Sequence, residues 1–377
     1  MTRSSQPETD PNLERVDAIL RIDLNALRSN YALLRDRAAP AECAACVKAD
    51  AYGLGVTHIA PALMDAGCKT FFVAHADEGA EVRRLLAEAR IYILHGVWPG
   101  SEEILYDHRL TPVLNSLQQL DAWGAVARAK GTRLDAALHV DTGMTRLGLG
   151  DGEIGELTAA PGRLDGVSLT QIMSHLCCGD EPANPLNATQ LQRFNEARAR
   201  LPAAPASLAA SGGIFLGSEY HFDMVRAGIA LYGARPTSDD TNPMSEVARA
   251  SARILQVRDV DSPRTVGYGA AHKVDKPSRI ATISVGYADG YILSLSGRGY
   301  ACIDGIAAPV VGRVSMDLIT LDVSDIPRDK AVPGAFVDII GGGPDLDDVA
   351  RLAGTISYEL LTRLGRRFHR VYQGEAS

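Results

Sequence analysis

The sequence predicts an α/β protein with an N-terminal (β/α)8 TIM-type barrel, at residues 24–240, and a C-terminal mostly-β domain, at residues 241–377. Up to about residue 235, short apolar runs alternate with longer amphipathic stretches, which is the pattern of strands followed by helices. After about residue 240, strand-like runs follow one another with Gly, Pro and Asp between them and no long helical pattern. A chain of 377 residues is long enough for two such domains.

Eight apolar runs supply the strands predicted for the barrel. Between the first two runs, Val56, Ile59, Leu63 and Gly67 have the spacing of one helix face. Because periodicity does not count strands reliably, a doubly wound parallel sheet stays open as an alternative. The eight runs are Cys43–Val47, Thr70–Ala74, Ile91–Leu94, Pro112–Leu114, Leu134–Val140, Val167–Met173, Ser207–Ala210 and Met224–Leu231.

The C-terminal domain is predicted to be built mainly of strands. Helices are expected only near its end, at Asp345–Leu352 and Ser357–Arg366, and a strand at residues 15–23 is expected to join its sheet. Residues 1–15 are expected to form a disordered leader. The predicted strands are Ala248–Val260, Arg279–Val285, Ala301–Ile306, Pro309–Val314, Leu318–Val323 and Phe336–Ile340.

Charge and composition exclude several classes of partner. A formal net charge of −8 without a basic tract argues against nucleic acid and anionic membranes. The first 16 residues lack the apolar core of a signal peptide, and no run approaches the ~20 apolar residues of a membrane span. We therefore expect a cytoplasmic protein whose cysteines are reduced and structural, with no metal site.

Lys48 is the residue that most clearly carries chemistry. It alone among the lysines ends an apolar run, and in a barrel the C-terminal ends of the strands carry the chemistry. A partly desolvated lysine at such a position can attack a carbonyl group, although a lysine that only caps a strand into solvent fits the same pattern. The other lysines lie at turns or in polar segments: Lys69, Lys130, Lys273, Lys276 and Lys330.

The residues around Lys48 closely resemble the cofactor signature of alanine racemases, and the resemblance extends over nearly the whole chain. It implies that Lys48 binds pyridoxal 5′-phosphate as a Schiff base, in a barrel with a C-terminal β domain. It also implies a head-to-tail homodimer with shared active sites, which interconverts L-alanine and D-alanine and supplies D-alanine for bacterial cell-wall peptidoglycan. The run reads Val47-Lys48-Ala49-Asp50-Ala51-Tyr52-Gly53-Leu54-Gly55.

A second segment resembles the part of the family that carries a catalytic tyrosine. Racemisation removes a proton from one face of Cα and delivers one to the other, so two groups on opposite faces suit it. The resemblance implies that Lys48 serves one face and Tyr268 of the partner subunit serves the other. The segment reads Val266-Gly267-Tyr268-Gly269-Ala270.

The run from His139 to Gly148 resembles the family segment whose arginine, here Arg146, contacts the cofactor's phenolic oxygen and the substrate carboxylate. A planar guanidinium suits both partners. Many family members have a carbamylated lysine where this chain has His139. Because histidine cannot carry a carbamate, either His139 orients Arg146 by another hydrogen bond or a bound anion takes over that role.

The run from Met224 to Gly233 resembles the segment whose arginine, here Arg226, donates to the pyridine nitrogen of the cofactor. Arginine keeps its proton, so the ring nitrogen should stay largely unprotonated and side reactions such as transamination should be suppressed. The family often has a histidine that supports this arginine where this chain has Ser207. The support of Arg226 is therefore an open question.

The resemblance implies the remaining contacts. His175 would pack near the cofactor ring, and the backbone amide of Met316 would bind the substrate carboxylate. Tyr287 and Tyr358 would narrow the entrance. The cofactor phosphate would be bound by Tyr52, Ser211, Gly228, Ile229 and Tyr358.

Three other functions stay open. One is an amino-acid decarboxylase of the same fold type, which usually has an acidic partner on the ring nitrogen, so Arg226 argues against it. Another is a barrel that only binds and buffers the cofactor, against which Tyr268 and Met316 argue. The third is a racemase of serine or another small amino acid, because a pocket discriminates one small group by only ~1–3 kcal/mol.

Overall fold

The computed structural model describes residues 15–238, 241–261 and 263–375, so the predicted leader lies outside the described residues apart from Arg15. The chain divides into two compact units. Among the described residues, one comprises Asp23–Val247 with residues 374–375, and the other comprises Ala248–Gln373 with residues 15–22. None of the helices described is both long enough and apolar enough to cross a bilayer.

The first unit contains the barrel strands, numbered after β1 (Ala18–Asp23) of the other unit. Among the described residues, eight parallel strands are hydrogen-bonded in the order β8-β7-β6-β5-β4-β3-β2-β9. Between the outermost two, the Arg226 amide donates to the Ala209 carbonyl over 2.9 Å and a bridge joins Ala210 to Arg226. The strands are β2 (Glu42–Cys46), β3 (Thr70–Val73), β4 (Arg90–Ile93), β5 (Thr111–Leu114), β6 (Leu134–His139), β7 (Val167–Met173), β8 (Ala206–Ser207) and β9 (Met224–Ala227).

Helices alternate with these strands, which confirms the (β/α)8 TIM-type barrel and excludes the doubly wound sheet. The first helix begins after Asp23, whose carboxylate caps it by accepting from the amides of Asn25 and Ala26. The helices are α1 (Leu24–Ala38), α2 (Val56–Asp65), α3 (Ala76–Leu85), α4 (Glu102–Asp107), α5 (Leu117–Lys130), α6 (Asp151–Ala159) and α7 (Leu186–Arg200).

The interior of the barrel is filled by buried side chains from its strands. The rings of Phe72 and Tyr92 stack with centroids 4.8 Å apart, and the Tyr92 hydroxyl donates to Thr170. Because this layer closes the interior, chemistry is confined to the ends of the strands. The layer consists of Ala44, Phe72, Tyr92, Val113, Ala137, Met173 and Met224.

The second unit is mostly strand, as predicted. Its centre is β10 (Ala248–Val260), which pairs antiparallel with β1 and with β17 (Phe336–Ile340). Two helices lie near its end, α8 (Leu346–Ala353) and α9 (Ser357–Arg363). The other strands are β11 (Arg264–Val266), β12 (His272–Val274), β13 (Ser278–Ile283), β14 (Tyr300–Ile303), β15 (Ile306–Pro309), β16 (Ile319–Asp322) and β18 (His369–Gln373).

The prediction of a strand at Pro309–Val314 is wrong. The strand lies earlier, at β15, and pairs with β14 as a hairpin. The reason is the two-residue turn of Asp304 and Gly305, whose positive φ values of 48° and 77° suit a tight hairpin turn. The hairpin of β11 with β12, and the final strand β18, were not predicted, because each is short and polar in sequence.

Candidate active site

The predicted site residues of the barrel unit follow the C-terminal ends of its strands. Lys48 follows β2 and His175 follows β7, each by two residues. Arg146 lies in the loop after β6, Ser211 lies after β8, and Arg226 lies in β9 itself. Because the carboxyl ends of parallel barrel strands meet at one mouth, the fold brings these residues to the same end.

Lys48 is followed by an unusual backbone conformation. The residues from Ala49 to Tyr52 all have φ between 51° and 58°, which makes one left-handed turn of non-glycine residues. Such a conformation costs about 1–2 kcal/mol for each L-residue and persists only where the surroundings enforce it. The backbone leaving Lys48 is therefore held in a strained, defined path.

Two carboxylates hold this turn. Glu78 accepts from the Ala49 amide through one oxygen and from the Ala74 amide through the other, each over 2.7 Å, so it ties the turn to the end of β3. Asp50 accepts from the Val56 amide at the start of α2, also over 2.7 Å. Charge-assisted bonds of this kind are strong, and they offset part of the strain beside Lys48.

Arg226 is buried, and both terminal nitrogens of its guanidinium are hydrogen-bonded. Its guanidinium donates to the Ser207 hydroxyl and to the carbonyls of Ser174, over 2.6 Å, and Leu208, over 3.2 Å. Ser207 and two carbonyls thus support this arginine where the family often has a histidine. Burial lowers the pKa of Arg226 to about 10, which leaves the side chain protonated and a hydrogen-bond donor at neutral pH.

His175 is placed beside Arg226. The guanidinium nitrogen Nη2 of Arg226 lies 3.2 Å from Nδ1 of His175. Because arginine can only donate, Nδ1 must accept, and the proton of the neutral ring lies on Nε2. Burial, and then the charge of Arg226, lower the pKa of His175 well below its usual value, so the ring is neutral at physiological pH.

His139 is paired with an asparagine. The amide nitrogen of Asn115 donates to the carbonyls of Leu94 and Val113, over 3.0 and 2.8 Å, which leaves its oxygen facing Nδ1 of His139 at 2.7 Å. His139 must therefore carry its proton on Nδ1 and present a lone pair on Nε2. Burial, and then the charges of Arg226 and Arg146, lower its pKa to about 4.

This shift makes stability depend on pH. Above about pH 6.5, His139 is neutral in both the folded and the unfolded chain; as the pH falls from there toward 4, only the unfolded chain gains the proton, so stability is lost. We expect His139 to account for a loss of about 2 kcal/mol in the free energy of unfolding between pH 7 and pH 5. His139→Gln keeps a donor for Asn115 but does not titrate. Urea denaturation at both pH values should therefore give a smaller loss for this variant, and an equal loss would contradict the assignment.

The predicted phosphate end is tightly built. The Ser211 hydroxyl accepts from the amides of Gly228, over 2.9 Å, and Ala230, over 3.3 Å. A side chain at Gly228 would place its Cβ 2.8 Å from the Tyr52 hydroxyl, so this approach requires glycine. Ser211 is followed by a short 3-10 turn, Gly212–Phe215, because the two glycines at residues 212 and 213 disfavour a longer helix.

The barrel residues fit pyridoxal phosphate on their own chemistry. Lys48 supplies an amine, Arg226 a buried donor, and Ser211 with the amides around Gly228 supplies donors and an acceptor at a backbone cradle that a Cβ would obstruct. The Tyr52 ring packs on Tyr232 at 4.6 Å, and the Tyr232 hydroxyl donates to the Cys46 carbonyl over 2.8 Å. Tyr52 is thereby held with its hydroxyl toward Gly228.

Four predicted site residues belong to the other unit and are exposed there. Tyr268 is 72% exposed and Met316 is 53% exposed, and both are large apolar side chains. Tyr268 lies between two glycines with positive φ, at Gly267 and Gly269. The four residues are Tyr268, Tyr287, Met316 and Tyr358.

The cysteines form no metal centre. All six are free, and burial raises the pKa of the Cys43 and Cys46 thiols, so they are protonated at neutral pH. In the part of the chain that the structure describes, no three His, Cys, Asp or Glu side chains are arranged to hold a metal ion.

Sequence reasoning missed three supporting residues: Glu78, Asn115 and Tyr232. Tyr232 lies inside the motif of Arg226, and its glycine neighbour marks it as part of a turn. Glu78 has the position of a capping residue at the start of α3. That position predicts a hydrogen bond within the helix start, but it does not predict the bond to Ala49. No local pattern links Asn115 to His139, 24 positions away.

Comparison with known proteins shows the family to which this chain is similar. The sequence model of the alanine racemase N-terminal domain matches residues 22–236, and that of the alanine racemase C-terminal domain matches residues 247–372. An alanine racemase of Rhizobium meliloti is 47% identical over 97% of this chain and 99% of its own length. One from Rhodospirillum rubrum is 49% identical over 96% of this chain and 97% of its own.

A solved structure is similar in fold as well. The alanine racemase of Bartonella henselae, described with covalently bound pyridoxal phosphate, superposes with a TM-score of 0.91 at 40% identity, covering 95% of this chain and 99% of its own. Both domains, their order and nearly the full length agree, and the chain therefore belongs to the alanine racemase family of isomerases.

Proposed function

We propose that this protein interconverts L-alanine and D-alanine, using pyridoxal phosphate held covalently by Lys48. The observation that carries the proposal is the joint position of Lys48 and the buried, protonated Arg226 at the strand ends of a family barrel. The cofactor, when bound, supplies an electron sink that acidifies the substrate Cα–H. Proton transfer, substrate binding and orientation depend on the protein's own residues.

Two groups move the proton. The Lys48 amine serves one face of Cα, and Tyr268 of the partner subunit serves the other. The exposure of Tyr268 leaves its ring accessible to a second subunit, as this role requires. A head-to-tail homodimer with shared active sites follows from this assignment.

Arg226 sets the strength of the electron sink. Its hydrogen bonds to Ser207 and to backbone carbonyls hold the guanidinium in place, and with a pKa of about 10 it does not hand a proton to a ring nitrogen. A pyridine ring with a neutral nitrogen withdraws electron density less strongly than one with a protonated nitrogen. We infer that this limits transamination and leaves more of the work to Lys48 and Tyr268.

The remaining residues bind and orient. Arg146 and the Met316 amide take the substrate carboxylate, and His175 packs near the ring. Tyr287 and Tyr358 narrow the entrance. The phosphate is bound by Tyr52, Ser211, Gly228, Ile229 and Tyr358.

The proposed substrate is alanine. The enzyme forms D-alanine in the cytoplasm, and this D-alanine supplies cell-wall peptidoglycan. The test is to assay the purified, cofactor-loaded protein with L-alanine, D-alanine and L-serine, following the enantiomer formed. We expect racemisation in both directions with a higher kcat/KM for alanine than for serine. Serine preferred over alanine would redirect the proposal to a serine racemase, and release of carbon dioxide without racemisation would redirect it to a decarboxylase.

A further inference from the structure

We propose that Arg367 is a positioning residue that locks the loop of Tyr287 to the loop of Met316, and so sets the affinity for the substrate carboxylate. The inference rests on the proposed function, because it concerns the site to which that function assigns these two loops. Arg367 lies just before β18, far in sequence from both loops.

The two loops already approach each other through their backbones. The Tyr287 amide donates to the Ser315 carbonyl over 3.0 Å, and the Ala288 amide donates to the Met316 carbonyl over 3.1 Å. A Cβ at Gly286 would lie 2.3 Å from those carbonyl oxygens, so only glycine allows the contact. The orientation of the Met316 peptide is thus coupled to the Tyr287 loop.

The side chain of Arg367 also joins the two loops. Its Nε and Nη2 atoms donate to the two oxygens of Asp289, over 2.6 and 2.7 Å, and its Nη1 atom donates to Asp317 over 2.6 Å. Asp289 follows Tyr287 by two residues, and Asp317 follows Met316 directly. One rigid, planar fork therefore holds one carboxylate from each loop, a geometry that lysine cannot reproduce.

Asp289 is not placed to act on solvent or on a ligand. Its side chain is 3% exposed, and besides Arg367 it accepts from the Gly286 amide over 2.9 Å, which closes its own turn. Asp317 is 56% exposed and has the single bond to Arg367. The buried carboxylate fixes Arg367, and the exposed carboxylate transmits that position to the Met316 loop.

The consequence falls on substrate binding. The Met316 amide is assigned to the substrate carboxylate, so a loop free to rotate that peptide loses the donor without changing Lys48 or the cofactor contacts. A loss of this kind raises KM and leaves kcat nearly unchanged, because it weakens binding in the ground state and the transition state alike.

Asp317→Asn is the decisive variant, because it weakens an exposed bond and should not threaten folding. We expect KM for alanine to rise about 2- to 5-fold with kcat within about 1.5-fold. The inhibition constant of propionate, which has alanine's carboxylate and methyl group but no amine, should rise in parallel. The visible absorbance of the bound cofactor should stay unchanged. Arg367→Lys should raise both constants further, because it loosens both loops.

Arg328→Ala is the matched control. Arg328 also makes two bonds to one aspartate, Asp259, in the same unit, but both side chains are exposed and neither lies in these loops. It should leave KM and the propionate constant unchanged.

Unchanged constants in both Asp317→Asn and Arg367→Lys would overturn the proposal. So would a fall in kcat or in cofactor absorbance at constant KM. If the Arg367→Lys protein does not fold, the KM and propionate constant of Asp317→Asn alone test the proposal. Failure of the proposed function is seen separately, since a wild-type protein without alanine racemisation never reaches this comparison.

Discussion

Replacing Lys48 with alanine is expected to lower racemase activity by at least about 10⁴-fold, because it removes both the covalent attachment of the cofactor and one of the two proton-transferring groups. The same change should abolish the visible absorbance of lysine-bound cofactor, which is measured on the dialysed protein. Activity is measured in both directions with excess pyridoxal phosphate present, so that weaker binding is not mistaken for lost chemistry.

Lys69→Ala is the control for this experiment. Lys69 is an exposed lysine of the same unit, just before β3, and its removal should leave activity and absorbance as they were. A Lys48→Ala protein that keeps full activity would refute the assignment of the cofactor site.

Replacing Tyr268 with phenylalanine is expected to lower activity about 10²- to 10⁴-fold, because it removes the hydroxyl that serves the second face of Cα. The cofactor absorbance should persist, since Lys48 is intact. Retained activity in both directions would mean that another group serves that face.

Mixed dimers test whether Tyr268 acts in the partner subunit. When Lys48→Ala and Tyr268→Phe chains are co-expressed in equal amounts, half the dimers are mixed, and each mixed dimer has one site with both defects and one site with neither. About a quarter of the wild-type activity should return. If both groups acted within one subunit, every site would carry a defect and no activity would return.

The control for the mixing experiment pairs Lys48→Ala with the Lys48→Ala, Tyr268→Phe double variant. Every site then lacks Lys48, so no recovery is expected from any arrangement of subunits. Recovery in this control would point to contamination by another racemase.

The sequence was informative wherever the relevant signal is local. The eight barrel strands begin within one residue of the predicted apolar runs, because a buried parallel strand needs an unbroken apolar segment. Lys48 could be selected because its position at the end of such a run is a local property. The strand at Pro309–Val314 was misplaced because a two-residue Asp304-Gly305 turn carries less weight in a pattern than the apolar residues after it.

The support of the site was not accessible in the same way. Ser207 reads as a departure from the family, but folding brings it to Arg226 together with two backbone carbonyls that have no sequence signature. Likewise His139 reads as a replacement for a modified lysine, and its tautomer follows from Asn115, whose orientation is set by two further carbonyls.

The chain's residues and their order thus specified the fold class and the family, and they singled out the lysine proposed to carry the chemistry, because these depend on periodicity and on short motifs. Contacts between distant segments determined the rest: the strained turn after Lys48 held by Glu78, the neutral state of His139 and His175, and the fork of Arg367 on Asp289 and Asp317. Burial and hydrogen-bond geometry govern these features, and neither exists until strands far apart in sequence have packed together.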